Sequence, residues 1–305
     1  MATDTAVPAV TAADQLLAEG TNLLEAAGVQ TPRLDAEVLL AAACAIDRSA
    51  LYARGRELVT LQRRDAFRSL LARRIAREPL QYIVGRQEFW SLDFLVTRDV
   101  LIPRPETELL VELAIEVLYG SPRSSEKGQR EGRRYAPQPL TICDLGTGSG
   151  CIAVALACEL SGAEIWALDS SRPALAVAMT NARRHLVADR IRFVESDLFA
   201  AVDGRCFDAI IANPPYVSSL ELERLQPELA WEPRHALDGG PAGLDVIRRL
   251  VSAAPEFLVD GGWLIMEIGA NQPETVRALA ESAQFSEVSI RADYAGLPRV
   301  LLARR

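Results

Sequence analysis

From residue 140 onward, short apolar runs alternate with amphipathic stretches of helical length, and no other feature of the chain constrains its fold as strongly. Runs at residues 140–143, 165–168, 191–194 and 207–212 read as strands, with helices expected over 151–160 and 172–186. Strands this uniformly apolar belong to a mostly parallel sheet covered by helices on its faces. A further strand at 263–268, a helix at 273–283 and runs near 286–290 and 299–302 extend the pattern into a terminal hairpin. The expected fold class is therefore α/β, and no internal repeat is visible.

The first 80 residues read differently. Leu16, Leu17, Leu23 and Leu24, then Ala36, Val38, Leu39 and Leu40, then Phe67, Leu70, Leu71 and Ile75 recur at helical spacing, which predicts a small helical bundle. Its third segment carries Arg63, Arg64, Arg68, Arg73, Arg74 and Arg77, read as a solvated face in preference to a docking face for an acidic partner. Between Gln81 and Pro103 the pattern shortens to alternation around Glu88-Phe89-Trp90-Ser91-Leu92-Asp93-Phe94, which suggests a β-hairpin. A helix fits 105–119, with Pro105 at its start, where a missing N–H costs little. Three parts follow: a helical domain at 1–80, a hairpin connector at 81–104 and an α/β domain at 105–305 with a mobile polar loop at 120–139.

Composition narrows the partners. The chain has 305 residues, 49% of them hydrophobic, enough for a substantial core. No apolar stretch reaches membrane-spanning length, and Met1-Ala2-Thr3-Asp4 does not open a secretory leader, so a cytoplasmic protein with no membrane partner is expected. Cys44, Cys143, Cys151, Cys158 and Cys206 make no C-x-x-C pair, and with only His185 and His235 beside them no metal site is expected; buried reduced thiols are. A net charge of −8 argues against binding nucleic acid through phosphate neutralisation. The twenty-two acidic and fifteen basic residues of 140–305 put that acidity in the α/β part.

Ligand-binding groups gather where the strands end. Asp144-Leu145-Gly146-Thr147-Gly148-Ser149-Gly150 lies between a strand and a helix, so backbone N–H groups can approach a ligand closely. It lacks the full G-x-G-x-x-G spacing of a dinucleotide fingerprint, and resembles the first motif of S-adenosylmethionine-dependent methyltransferases. Asp169 ends the next strand, where a carboxylate can accept both ribose hydroxyls, although it also suits a helix N-terminus. Asp197 follows the third strand, within reach of an adenine amino group, with Leu198 beside the ring; a surface turn is the alternative there. After the fourth strand comes Asn213-Pro214-Pro215-Tyr216. Pro214 and Pro215 carry no N–H, so this backbone presents acceptors, and with the Asn213 side-chain carbonyl it matches an NH2 group that donates two hydrogens. Asn-Pro and Pro-Pro are also ordinary turn punctuation.

With these residues in place the chain resembles the HemK/PrmC family of protein-(glutamine-N5) methyltransferases that act on peptide chain release factors. The resemblance runs nearly end to end and includes Gly85-Arg86-Gln87-Glu88-Phe89-Trp90, Leu101-Ile102-Pro103-Arg104-Pro105-Glu106-Thr107-Glu108, the glycine loop, Asn213 to Tyr216, and Glu232-Pro233 followed by Ala236-Leu237. It implies a class I (Rossmann-like) methyltransferase domain behind a release-factor-binding helical domain. The implied cofactor, S-adenosyl-L-methionine, is held by Asp144, Gly146, Thr147, Gly148, Ser149, Gly150, Asp169, Asp197, Leu198 and Asn213. The substrate glutamine is held by Asn213, Pro214, Pro215 and Tyr216. Asn213 and Pro214 are expected to serve catalysis through their carbonyls, with Tyr216 packed over the substrate amide. Glu106 and Glu108 either shape the pocket or favour a helix N-terminus. His185, His235 and Glu267 are given no role. The 120–139 segment looks longer than the family's usual connection, and Leu198 stands where some members carry a larger aromatic.

Two other readings stay open on the residues alone. Asn-Pro-Pro-Tyr equally suits the exocyclic amine of a flipped adenine. A catalytically silent module that docks on a release factor is the second. The acidic α/β part and the segments at 85–90 and 101–108 favour a protein substrate, with no direct nucleic-acid contact and a monomer as the expected state.

Overall fold

The computed structural model describes residues 10–53, 58–119 and 140–305. The expected loop at 120–139 lies outside the described residues. Contacts divide the chain into two units, one formed by Met1–Gly85 with Pro227–Trp231, the other by Arg86–Gln226 with Glu232–Arg305.

The first unit is helical. Its long helices are α1 (Ala13–Ala26), α2 (Pro32–Cys44) and α4 (Leu61–Ile75); α3 (Arg48–Ala53) and α5 (Leu80–Val84) are short. Strands β1 (Val10–Ala12) and β2 (Leu58–Thr60) pair antiparallel, a pairing that three-residue segments do not announce in sequence. Leu16, Leu24, Ala36, Leu39, Leu40 and Phe67 are fully buried, whereas Leu23 and Ile75 point outward. The solvated-face reading holds for the exposed Arg63 and Arg68 but is corrected for Arg64 and Arg74, which are buried, and for Arg73 and Arg77, which are half-buried. Arg74 is buried and donates to Asp35 at 2.7 Å and to Glu228 at 2.9 Å, and Arg73 pairs with the buried Glu78 at 2.8 Å. Arg77 closes on Glu228 at 2.7 Å. Their partners sit up to 154 positions away, out of reach of a periodicity argument.

The second unit opens with the hairpin β3 (Arg86–Phe89) and β4 (Leu92–Leu95), turned by Trp90 and Ser91, both at positive φ. Two such residues make a type I′ turn, which follows the strand twist. The hairpin is shorter than the 81–104 stretch because Pro79 caps α5 and left-handed Gly85 ends it. Next come the 3-10 turn Pro105–Thr107, α6 (Glu108–Tyr119), β5 (Thr141–Leu145), α7 (Cys151–Glu159), β6 (Glu164–Asp169), α8 (Arg172–Arg184), β7 (Ile191–Glu195) and β8 (Phe207–Ala212). The chain ends through α9 (Ser219–Leu222), α10 (Asp245–Ala253), β9 (Leu258–Glu267), α11 (Pro273–Ser282), β10 (Glu287–Ala292) and β11 (Pro298–Arg304).

Among the described residues, seven strands form one sheet in the order β10-β11-β9-β8-β5-β6-β7. Pairs among β5 to β9 are parallel, and β10 and β11 add antiparallel strands. Period-two alternation sorts the core. Ile142, Ile165, Ala209, Ile211 and Ile265 face α6 and α7, while Cys143, Leu145, Leu168, Ile210 and Met266 face the α10 and α11 side. Of the five free cysteines, Cys44, Cys143 and Cys151 are buried as expected, but Cys158 and Cys206 are exposed. Among the described residues no helix is long and apolar enough to cross a membrane.

Candidate active site

The chain runs outward from β5 through β6 to β7, then returns to β8 on the other side of β5. This reversal opens a crevice at the carboxyl ends of β5 and β8, where open α/β sheets bind ligands. Leu145 pairs with Ala212, so the glycine loop and Asn213 leave the sheet side by side.

The glycine loop is held from below. Asp144 is fully buried; Thr147 Oγ1 donates to its Oδ2 at 2.6 Å and Ala153 N at 3.1 Å. Burial pushes its carboxyl up to about 7, against the lowering effect of those donors. Gly150, at φ 80°, lies against Ala178, and a Cβ there would stand 3.0 Å from the alanine Cβ. Asn181, absent from the sequence reading, is wholly buried; it bonds both backbone groups of Leu95 and donates to the Ser149 carbonyl at 2.8 Å. Its position in mid-helix gave no sequence signal.

The crevice encloses about 860 Å³ of atom-free space, part of it open to solvent, and is lined by Gly146, Gly148, Asp169, Asp197, Leu198, Asn213, Pro214 and Pro215 among others. Asp144, Thr147, Ser149, Gly150 and Tyr216 are not on its wall. Asp169 accepts from Gly148 N and Ser171 N, both at 2.8 Å, and this turns its carboxylate toward the loop. Asp197 is exposed and pairs with Arg249 at 2.7 Å. His235, given no role by the sequence, also lines the crevice.

Two quoted sequence segments meet beside it. Glu232, buried, accepts from Ile102 N at 3.0 Å and pairs with Arg104, which anchors 101–104. Glu108 receives Trp90 N at 2.8 Å, so it fastens the hairpin and lies off the crevice wall.

Asn213 donates through Nδ2 to Thr107 Oγ1 at 3.1 Å, and Thr107 donates to Glu267 Oε2 at 2.8 Å. Tyr216 donates its hydroxyl to Glu267 Oε1 at 3.0 Å, and its ring packs on the core. Burial raises the Glu267 carboxyl above its usual range, and the half-buried Tyr216 phenol is raised too, by burial first and by Glu267 second. Gln272 Nε2 occupies the Tyr216 carbonyl at 3.0 Å. Among the described residues no donor reaches the Asn213 side-chain oxygen or the Pro214 carbonyl.

Residues 15–85 match the PrmC N-terminal domain and residues 136–240 the methyltransferase small domain. A release factor glutamine methyltransferase of Geobacter sulfurreducens is 44% identical, over 91% of this chain and 91% of its own. The enzyme of that name from Moorella thermoacetica is 43% identical, over 95% of this chain and 98% of its own. Among solved structures, the hMettl16 catalytic domain superposes with a TM-score of 0.55 at 16% identity, covering 82% of this chain and 84% of that one, a likeness of fold alone. Sheet order, crevice and domain match together define a class I methyltransferase that uses S-adenosylmethionine as methyl donor. Identity at this level over nearly the whole length then fixes the kinship: the chain belongs to the release factor glutamine methyltransferase family.

Proposed function

We propose that this protein transfers a methyl group from S-adenosylmethionine to the side-chain amide nitrogen of the glutamine in a release factor's Gly-Gly-Gln segment. The observation that carries this reading is the pair of acceptors Asn213 Oδ1 and Pro214 O, which no donor reaches among the described residues, on the wall of a switch-point crevice. Two N–H bonds of one planar amide can reach two such oxygens.

The residues of the crevice fit the donor. A Cβ at Gly146 would meet nothing within 4 Å, so this backbone borders open space in which a ligand can sit. Asp144 Oδ1 is buried beneath the glycine loop with no hydrogen-bond partner among the described residues, an orphaned acceptor directly under the backbone that borders this space. Asp169 is suited to the ribose hydroxyls, and Asp197 with Leu198 to the adenine edge and face. When bound, S-adenosylmethionine supplies an electrophilic methyl on a sulfonium.

An amide nitrogen is a poor nucleophile because its lone pair is shared with the carbonyl. Asn213 Oδ1 and Pro214 O accept its two hydrogens, fix the plane of the group and favour electron density on nitrogen. The N–C bond forms as the S–C bond breaks, and the methylated nitrogen then releases a proton. Correct positioning of two reactants can lower a barrier by about 7–11 kcal/mol, so no strong base is needed. Tyr216 contributes by fixing the loop, through Glu267 and Gln272, rather than by covering the substrate.

Purified protein with radiolabelled S-adenosylmethionine is expected to label a release factor, and not the same factor with the glutamine of Gly-Gly-Gln changed. Label entering DNA or RNA instead would favour the exocyclic-amine reading.

A further inference from the structure

Glu267 is 1% exposed at the end of β9, a buried acid that takes no part in the transfer itself. Its neighbours form one directional chain. A threonine hydroxyl has a single hydrogen, and an ionised carboxylate can only accept. Thr107 gives that hydrogen to Glu267 and so can only accept from Asn213. The amide of Asn213 therefore presents its NH2 to Thr107 and its oxygen to the other side. A flipped amide would set two acceptor oxygens against each other and point an NH2 at the substrate's NH2.

We propose that Glu267 is a positioning residue which, acting through Thr107, sets the orientation of the Asn213 amide and so makes the site an acceptor for an NH2 group. This rests on the function proposed above. The polarity depends on the charge of Glu267. Burial and the nearby Glu106 raise its carboxyl, and the Thr107 and Tyr216 hydroxyls and the Arg299 charge oppose them. Once protonated, Glu267 can donate to Thr107; the hydroxyl can then turn, and the amide of Asn213 is free to flip. Transfer should fall as pH drops through this raised value.

The test uses the full chain and the variant Glu267→Gln, whose NH2 can donate to Thr107 and cancel the polarity at almost constant shape. Three quantities are read: steady-state kcat and KM on a release factor, cofactor Kd by calorimetry, and the side-chain 1H–15N resonances of Asn213 in ligand-free protein. The proposal requires kcat to fall by about tenfold or more, the worth of one misdirected hydrogen bond, with cofactor Kd within about twofold. The Asn213 resonances should shift, and the acid limb of the wild-type pH profile should be absent from the variant. Thr107→Ser, which keeps the hydroxyl, should retain activity, and Thr107→Val should behave like Glu267→Gln. If either Glu267→Gln or Thr107→Val folds and works at the wild-type rate with unmoved Asn213 resonances, Glu267 does not set the amide. Should Glu267→Gln fail to fold, Thr107→Val decides by the same readouts. A wild-type protein inactive on release factors would instead sink the function on which this rests.

Discussion

Asn181 and Leu95 exchange two hydrogen bonds, at 2.7 and 3.0 Å, across 86 positions of sequence. The same amide holds the Ser149 carbonyl, so one buried side chain ties the hairpin to the glycine loop. Replacing it with alanine strands the buried Ser149 carbonyl and the part-buried N–H and carbonyl of Leu95, and a buried group left unsatisfied costs about 1–3 kcal/mol. Asn181→Ala is expected to lower unfolding stability by about 2–4 kcal/mol in urea titration and to weaken cofactor affinity. Unchanged stability would mean that water replaces the amide.

Asn213→Ala removes the side-chain acceptor while leaving the Pro214 carbonyl. Transfer should fall by about a hundredfold or more, by analogy with removal of one hydrogen-bond partner of a reacting group. Cofactor binding, measured by calorimetry, should remain. Turnover near the wild-type rate would remove Asn213 from the chemistry.

Asp169→Ala should raise the cofactor Kd by about tenfold or more, since bonds to a charged group contribute about 1.5–3 kcal/mol. Unchanged affinity would exclude it from the ribose site.

Asp144 gives a pH signature. Its folded value of about 7 lies above the ordinary 3.8, so the folded state binds the extra proton between those values. Stability from this group is full below 3.8 and is lost as pH rises toward 7. The loss has a ceiling of about 4 kcal/mol for a shift of this size. Subtracting the pH–stability curve of Asp144→Asn from that of wild type should reveal this slope. Parallel curves would show that Asp144 titrates normally.

In the helical unit, Arg74→Met would leave Asp35, 2% exposed, without its buried cation. Such a loss costs about 3–5 kcal/mol, and a chemical denaturation midpoint should show it. A change of a few tenths would return Arg74 to the solvated face.

The sheet and the crevice were legible because their signals are local. Apolar runs bounded by glycine and proline mark β5, β6 and β8, and Asp169 and Asn213 sit where those runs stop. The helix α10 escaped notice although Ile247, Leu250 and Val251 line its buried side, because it follows a long irregular stretch without a clear cap. Thr107 and Glu267 escaped for a different reason. Their bond spans 160 positions, and each looks ordinary alone, one in a turn and one ending a strand. The same holds for Arg74 with Glu228. Long-range polar pairs have no sequence period, and only the fold brings them together.

The register that sets Leu145 opposite Ala212 also limits how such a protein can be redesigned. Because the glycine loop and Asn213 leave the same rung of one ladder, sliding either strand by a residue would turn all its side chains over and carry its loop out of line with the other. New acceptor specificity is therefore most accessible through changes beyond Tyr216, in the irregular stretch before α10, at positions other than His235 and Ala236, which line the crevice.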